Sequence, residues 1–237
     1  MDAGFEYEGD ELSLFKAATN WKNYFRKTLA PYISGTVLEV GAGLGGTTIH
    51  LFNERCSSWT CLEPDPSLVA EMQRVLQEHG IAGKCHIVTG SIENIGNDAL
   101  FDAILYIDVL EHIEHDREQL EQAAKHLRPG GHLIVLSPAY QYLYSKFDKA
   151  IGHFRRYSLK SLSTVFPPGL QLVEKKYLDG LGVLTSLANK WFLKQDYPTE
   201  AQINLWDKKI VPISRTFDRI TGFSFGRSVI VVGRKTN

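Results

Sequence analysis

The amino-acid sequence predicts an α/β protein in which a mostly parallel sheet carries helices on both faces. The first observation is an alternation, from Thr36 onward, of short apolar runs with stretches of helical periodicity. The second is a glycine-rich turn, from Gly41 to Gly46, placed between the first apolar run and a helix. Hydrophobic residues form 43% of the chain and charged residues 22%, which excludes a disordered or fibrous protein.

The elements follow from the apolar spacing. Between Leu12 and Tyr32 apolar residues recur at three- and four-residue steps, which predicts an amphipathic helix that caps the sheet. Seven later apolar runs are predicted as strands: Thr36–Val40, Trp59–Leu62, His86–Val88, Phe101–Ile107, His132–Ser137, Leu170–Tyr177 and Ser228–Val232. Helices are predicted to begin near Thr47, Ser67 and Asp116, and another to span Ser158–Phe166.

The chain shows no internal repeat and no linker rich in Gly, Pro or Ser, so a single domain over residues 1–237 is predicted. Residues 1–35 form its helical cap and residues 36–137 its core. Residues 138–237 contribute a lid, a partly helical insert and the last pair of strands.

Charge and hydropathy exclude several classes of protein. The net charge of −1 lacks the positive excess of a dedicated nucleic-acid binder. No apolar run approaches the roughly 20 residues needed to span a bilayer. The first eleven residues carry five acidic and no basic side chains, the wrong sign for a signal or transit peptide, and a cytoplasmic location is expected. Cys56, Cys61 and Cys85 match neither a disulfide framework nor a zinc pattern.

The glycine turn is the strongest functional signal, because backbone N–H groups between a strand and a helix bind nucleotide ligands. Its residues fit two patterns, Gly41, Gly43 and Gly46 for G-x-G-x-x-G, and Glu39, Gly41, Gly43 and Gly45 for E-x-G-x-G-x-G. Glu63, 20 residues after Gly43, suits the ribose-binding acid of either pattern. A phosphate-binding P-loop is excluded because Thr47, and no Lys, follows Gly46.

Glu39 favours the second pattern, because a carboxylate beside the ligand would repel a pyrophosphate and attract a cation. With Glu39-Val40-Gly41-Ala42-Gly43-Leu44-Gly45, the chain resembles the class I S-adenosylmethionine-dependent methyltransferases. Two further matches are Tyr106–Ile113 after the fourth strand and Leu127–Gly131 before the fifth. The resemblance implies a Rossmann-like sheet of about seven strands, the last antiparallel between its neighbours, and S-adenosyl-L-methionine as the cofactor.

The resemblance also implies cofactor-binding residues: Glu39, Gly41, Ala42, Gly43, Glu63, Pro64, Asp65, Ser91, Ile92, Asp108 and Val109. Gly41 and Gly43 would let the backbone approach the methionine portion, and Glu63 would bind both ribose hydroxyls. Asp108 would shape the pocket around the amino acid end, although it could instead cap the following turn. Where the family often has an acid near the adenine amine, Ser91 offers a hydroxyl beside Ile92.

Methyl transfer from a sulfonium needs mainly orientation and a dry site, because the donor is already activated. Where the acceptor must lose a proton, His112 and His153 are the candidate catalytic bases, and ordinary surface or capping roles are the alternative. Glu111 is interpreted as structural or solvated. No metal is expected, because nothing resembles the acidic ligand set of catechol-type methyltransferases.

A small-molecule acceptor is expected. The Asn- or Asp-Pro-Pro-aromatic motif of enzymes that methylate DNA adenine or amide nitrogens is absent after the fourth strand. Asp-Val-Leu-Glu-His-Ile is instead similar to enzymes acting on quinone precursors, lipids and secondary metabolites. Residues 140–160 are rich in aromatic and basic side chains, which predicts an acceptor-site lid, with a plain surface loop as the alternative. Its candidate acceptor-binding residues are Tyr140, Tyr144, Arg155 and Arg156.

Two other functions stay open at this point. G-x-G-x-x-G with Glu63 would suit a nicotinamide-dependent oxidoreductase. The Tyr-x-x-x-Lys catalytic pair of such enzymes is matched only by Tyr142 with Lys146, which lie in an irregular stretch. A catalytically inactive cofactor-binding scaffold is the other alternative. The sequence predicts no oligomeric state.

Ligand-induced stabilisation separates these functions. We expect S-adenosylhomocysteine to raise the melting temperature and NAD to leave it unchanged, because Glu39 and Glu63 suit a nucleoside without a pyrophosphate. A ligand at a hundredfold excess over its Kd adds about 2.7 kcal/mol to the free energy of unfolding. Differential scanning fluorimetry measures this shift. Stabilisation by NAD alone would favour the oxidoreductase.

Overall fold

The structure is a computed structural model that describes residues 15–188 and 197–236. Its strands are β1 Gly35–Val40, β2 Cys56–Glu63, β3 Cys85–Thr89, β4 Phe101–Ile107, β5 Leu127–Pro138, β6 Leu170–Leu178 and β7 Ser228–Lys235. All seven predicted strands are thereby confirmed, most of them one to three residues longer than predicted. The start of the predicted N-terminal helix, Leu12 to Leu14, lies outside the described residues.

The α-helices surround these strands. They are α1 Thr19–Leu29, α2 Thr48–Leu51, α3 Pro66–Glu78, α4 Asp116–Lys125, α5 Lys146–Ala150, α6 Leu159–Val165, α7 Gly180–Ala188, α8 Glu200–Leu205 and α9 Val211–Ile220. A π-helical turn, Trp206–Ile210, joins α8 to α9. The insert predicted between the last two strands therefore contains α7, α8 and α9. Within the described ranges, no helix combines the length and apolar character that a membrane span requires.

The strands form one sheet in the order β3-β2-β1-β4-β5-β7-β6. β1 to β5 pair in parallel, whereas β7 runs antiparallel between β5 and β6. The antiparallel position expected for the last strand is confirmed. Because the parallel strands end at one edge, the turns after β1, β2, β3, β4 and β5 all lie at the carboxyl edge of the sheet.

Strand β5 begins five residues earlier than predicted. Phe101 pairs with Leu127, and the register then shifts so that Ala103 pairs with His132. The shift accommodates the Pro129-Gly130-Gly131 turn as a bulge inside the strand. A Cβ on Gly131 would lie 2.9 Å from the Arg128 carbonyl oxygen and 3.0 Å from that of Asp102, so this backbone can pass only with glycine.

Alternate residues of the central strands enter two apolar clusters, one on each face of the sheet. Val37 and Leu105 belong to the first cluster, which also contains the aromatic side chains of α1. Leu38 and Ile104 belong to the second, which also contains residues of α4 and α6. The two faces confirm the predicted helical covering on both sides of the sheet.

Helix α1 is attached to the C-terminal insert through one buried carboxylate. Ala18, at the N-cap of α1, has no side chain that could cap the helix. Asp207 caps the helix instead: its carboxylate accepts the backbone N–H of Asn20 at 3.2 Å and that of Trp21 at 2.9 Å. The Asn20 amide adds a bond of 3.1 Å. A residue 187 positions away in sequence therefore caps the first described helix.

Replacing Asp207 by Ala should lower the free energy of unfolding by about 2 kcal/mol, because it removes a helix cap and leaves buried donors without an acceptor. Urea denaturation followed by circular dichroism measures the change. Glu121→Ala, an exposed position on α4, is the control and should change stability by less than about 0.5 kcal/mol. An equal effect of the two replacements would show that the cap does not stabilise the fold.

Candidate functional site

The glycine turn after β1 adopts a backbone that side chains disfavour. Gly41, Gly43 and Gly45 have φ of 67°, 55° and 75°, in the left-handed region. A Cβ on Gly41 would lie 2.6 Å from Cγ2 of Val109, which follows β4. The N–H groups of Gly41 and Ala42 both donate to the carbonyl of the β2 residue Leu62, at 2.8 and 3.1 Å. The turn is thus held between the ends of β2 and β4.

Glu63 joins the turns that follow β1 and β2. One carboxylate oxygen accepts the N–H of Gly43 at 2.7 Å, and the other accepts the N–H of Asp65 at 3.0 Å. Burial raises the pKa of Glu63, against the two backbone hydrogen bonds that lower it. Asp65, after Pro64, caps α3 by accepting the Ser67 N–H at 2.7 Å. The predicted ribose-binding carboxylate therefore lies against the glycine turn.

Glu39 is 2% exposed and lies inside the first motif. Its Oε2 accepts the Thr48 hydroxyl at 2.6 Å and the Trp59 indole N–H at 2.9 Å. Burial raises the pKa of this carboxyl to about 7, although both donors oppose the shift. The side chain therefore ties β1 to α2 and β2, and its attraction for a cationic ligand remains a prediction.

The turn after β3 contains an acid that the sequence interpretation overlooked. Ser91 begins a 3₁₀ turn, its N–H bonded to Asn94 Oδ1 at 2.8 Å, and its hydroxyl donates to the exposed carboxylate of Glu93. Ile92 is 1% exposed and packs in the core cluster that contains Leu38. Glu93, two residues beyond the expected position, supplies an acidic side chain in this turn.

Asp108, at the end of β4, has a left-handed backbone with φ of 54°. Such a conformation is uncommon in non-glycine residues, although Asp adopts it more readily than most, and residues that adopt it are enriched at functional sites. The side chain is accessible to solvent, yet protein surrounds it on most sides, and this restricted solvation raises its pKa to about 7 against the opposing charges of Arg227 and Arg156. The capping alternative is wrong, because Val109 occupies the N-cap of the following 3₁₀ turn.

The two candidate catalytic histidines lie together, although 41 residues separate them in sequence. The ring centroids of His112 and His153 are 4.5 Å apart, and the two ring planes meet at 85°. His153 Nε2 lies 3.9 Å from Glu111 Oε1, and its Nδ1 lies 2.9 Å from Asp148 Oδ1. Burial and the nearby His153 lower the pKa of His112 to about 3, so it is neutral at neutral pH.

Glu111 is fully buried, which agrees with the structural alternative and excludes the solvated one. Its Oε2 accepts the Ser137 hydroxyl at 2.9 Å. Burial raises the pKa of Glu111 well above its usual range, and the nearby Asp108 adds to this rise. Among the residues that the structure describes, no hydrogen-bond partner reaches its buried Oε1.

The basic side chains of the predicted lid have partners within the chain. Arg156 binds Asp148 through two bonds of 2.7 and 2.9 Å. Arg155 Nη1 lies 2.7 Å from the Asp116 carboxylate, and its Nη2 donates to a backbone carbonyl at 2.8 Å. Burial of Asp148 opposes ionisation, but hydrogen bonds from His153 and Arg156 lower its pKa. Acceptor binding by the two arginines stays a prediction.

The predicted aromatic residues of the lid lie beside these ion pairs. Tyr144 donates its hydroxyl to the His153 carbonyl at 2.6 Å, which fixes the His153 backbone. Tyr140 lies two residues after the end of β5 and has a φ of 64°. Its ring stacks on those of Tyr142 and Tyr177, with ring centroids 5.1 and 4.9 Å apart. This tyrosine stack, Tyr140, Tyr142 and Tyr177, lies at the carboxyl edge of the sheet.

Sequence reasoning assigned no role to Asp148, which appeared as a single acid in a basic stretch. The nearby basic residues His153, Arg155 and Arg156 were the sequence signal that could have indicated an ion-pairing role for Asp148.

The expectation of no metal relied on the absence of an acidic ligand set. The structure instead groups two imidazoles with one carboxylate, His112, His153 and Glu111.

Comparisons with known proteins match the motif region. The sequence model of one family, described as a methyltransferase domain, matches residues 38–133. Norajmaline N-methyltransferase of Rauvolfia serpentina is 25% identical over 108 residues, 45% of this chain and 37% of that protein. The tRNA U34 carboxymethyltransferase of Shewanella piezotolerans is 27% identical over 122 residues, 49% of this chain and 37% of that protein. The matched segment thus spans little more than a third of each relative.

Solved structures share the fold over nearly the whole chain. The methyltransferase in complex with the Trm112 activator of Haloferax volcanii has a TM-score of 0.67 and 16% identity, with 98% of this chain and 96% of that chain covered. The N-methyltransferase NodS of Bradyrhizobium japonicum, in complex with S-adenosyl-L-homocysteine, has a TM-score of 0.60 and 16% identity, with 98% and 94% covered. At these identities the likeness concerns the fold. The match of residues 38–133 to a methyltransferase domain, the Rossmann-like fold and the motifs that follow β1 and β4 together support an assignment to the class I S-adenosylmethionine-dependent methyltransferases.

Proposed function

We propose that the chain transfers a methyl group from S-adenosylmethionine to a small-molecule acceptor. The observation that carries the proposal is the hydrogen bond between Glu63 and the left-handed glycine turn. It brings the predicted ribose-binding carboxylate next to the turn that is predicted to bind the methionine portion. The cofactor supplies an activated methyl group, and the chain orients it and excludes water.

Glu63 can bind the cofactor and keep its hydrogen bonds to the turns that follow β1 and β2. Each carboxylate oxygen accepts one backbone N–H, and an ionised carboxylate offers about four acceptor positions. Two positions therefore remain for the ribose hydroxyls. Asp108, which is accessible at the end of the neighbouring strand β4, is proposed to bind the amino group of the methionine portion.

The proposed acceptor site lies over the ends of β4 and β5. The tyrosine stack offers an aromatic surface for a ring-containing or apolar acceptor, and Tyr142 is 55% exposed. A nucleic-acid acceptor is less favoured, because Arg155 and Arg156, two of the cations in this stretch, are paired with Asp116 and Asp148. His112 and His153 are proposed to lie on the path of any proton that the acceptor loses.

Glu63→Gln should weaken binding of S-adenosylhomocysteine about thirtyfold, which corresponds to about 2 kcal/mol. The amide keeps the shape of the side chain, but it loses the charge that strengthens the ribose hydrogen bonds and replaces one of the two oxygens that accept the N–H groups of Gly43 and Asp65 with a donor. Gly43→Val should abolish binding, because valine disfavours the left-handed backbone. Isothermal titration calorimetry measures both affinities.

Glu121→Gln, on the exposed face of α4, is the matched control and should bind normally. Circular dichroism of each variant without ligand separates a lost fold from a lost site. Wild-type affinity in both folded variants would place the cofactor elsewhere.

The acceptor class is tested by incubation with methyl-labelled S-adenosylmethionine and two separated cell fractions, small metabolites and bulk tRNA. We expect label in the metabolite fraction. Label in tRNA alone would retain methyl transfer but refute the small-molecule acceptor. Absence of label from both fractions would favour the inactive scaffold.

With an acceptor identified, Tyr142→Ala should raise its KM about tenfold, because an aromatic contact worth about 1.4 kcal/mol is lost. The affinity for S-adenosylhomocysteine should stay unchanged, since the ring lies outside the glycine turn. Leu100→Ala, exposed before β4 at the opposite edge of the sheet, is the control. Replacing Arg155 and Arg156 would be less informative, because their ion pairs also hold the stretch together.

A further inference from the structure

Glu111, His112 and His153 bring three metal-binding side chains to one point. The first two lie in the turn after β4, and His153 follows α5. One ligand atom from each residue lies within 4.8 Å of the other two. The two imidazole rings meet edge to face, so they do not stack across the space between them. This Glu111–His112–His153 group is referred to as the His–Glu cluster.

The second observation is independent of this grouping. Glu111 Oε1 is buried, and within residues 15–188 and 197–236 it has no hydrogen-bond partner. A buried carboxylate oxygen without a partner costs on the order of 1 to 3 kcal/mol, and more when charged. The other carboxylate oxygen, Oε2, accepts the Ser137 hydroxyl, so the oxygen without a hydrogen bond is the one that lies 3.9 Å from His153 Nε2.

The distance between Glu111 and His153 suits two ligands of one ion. Their facing atoms, Oε1 and Nε2, are 3.9 Å apart, which is too long for a hydrogen bond. Ligand atoms on a tetrahedral zinc ion with bonds of about 2.1 Å lie about 3.4 Å apart. A contraction of about half an ångström would therefore bring both atoms into coordination distance.

Asp148 orients His153 for this purpose. A carboxylate can only accept, so the bond of 2.9 Å between Asp148 Oδ1 and His153 Nδ1 places the proton on Nδ1. In that tautomer Nε2 carries the lone pair, and Nε2 is the ring nitrogen that lies 3.9 Å from Glu111 Oε1. Arg156 and the backbone N–H of Ser145 hold the Asp148 carboxylate in place. A carboxylate behind a histidine is the usual outer support of a metal-binding imidazole.

We propose that the His–Glu cluster binds one divalent transition-metal ion of the zinc type. Two imidazole nitrogens with one carboxylate oxygen suit zinc and its first-row neighbours, whereas magnesium and calcium prefer oxygen ligands. Three protein ligands leave one position for water or for an oxygen of a bound molecule. The site stands on geometry and does not depend on methyl transfer. In the proposed function, an acceptor oxygen bound to the ion would lose its proton to solvent more readily than an unbound one, because the ion lowers the pKa of that oxygen.

Metal binding is measured on the wild-type chain with zinc chloride alone. After treatment with a chelator and its removal, we expect titration against a competing zinc dye to give one ion per chain with a submicromolar Kd. His112→Gln and His153→Gln should each weaken binding at least a hundredfold. Asp148→Asn should weaken it about tenfold to a hundredfold, as is usual for an outer support.

His115→Gln is the matched control, because His115 is an exposed histidine three residues after His112 and is not part of the cluster, so its replacement should not alter the affinity. Co²⁺ bound to the wild-type chain tests the ligand set without any replacement. We expect intense visible d–d bands and no thiolate-to-metal charge transfer. A charge-transfer band would assign the ion to Cys61 or Cys85 and overturn the proposal. Absence of stoichiometric zinc binding, or equal affinity in His115→Gln and a folded His153→Gln, would also overturn it.

Discussion

The burial of acidic side chains at the carboxyl edge of the sheet is the constraint on which the site depends. Glu39, Glu63 and Glu111 are each at most 4% exposed, and burial raises the pKa of all three. Glu39 and Glu63 satisfy their oxygens with hydroxyl, indole and backbone donors rather than with lysine or arginine. Such donors hold the shape of the edge without placing a cation beside either carboxyl. A cationic sulfonium or a metal ion bound there would favour the ionised form of these carboxyls and would lower their pKa.

Sequence reasoning predicted the elements whose cause is local. The apolar runs predicted the strands, and the predicted glycine turn is present, with a positive φ at Gly41 and Gly43. Glu63 could be placed because strand ends in a parallel sheet share one edge. By contrast, the pairing of His153 with Asp148 depends on how a five-residue helix turns the chain. No periodicity records that turn, and the partners of Arg155 and Arg156 were missed for the same reason.

The C-terminal insert connects the first described helix to this edge. Asp218 accepts the Tyr24 hydroxyl at 2.6 Å and the backbone N–H groups of Asp179 and Gly180 at 2.7 and 2.8 Å. Asp179 in turn accepts the Trp206 indole N–H, and Arg227 lies 4.1 Å from the centroid of that indole ring. The positive charge of Arg227 also favours the ionised form of Asp108 and so limits the rise in its pKa. Packing at α1 and electrostatics at the end of β4 therefore share one network of side chains.

The position of β7 in the sheet has a consequence for how the chain folds. β7 pairs with β5 on one side and β6 on the other, so these two strands cannot become part of one sheet until residues 228–235 have been synthesised. Until then β5 presents an unpaired apolar edge, the kind of template on which other chains can assemble. The cap of α1 likewise cannot form until Asp207 has been synthesised. Contacts this distant in sequence slow folding, and the nascent protein is consequently most exposed to misassembly just before its last strand is made.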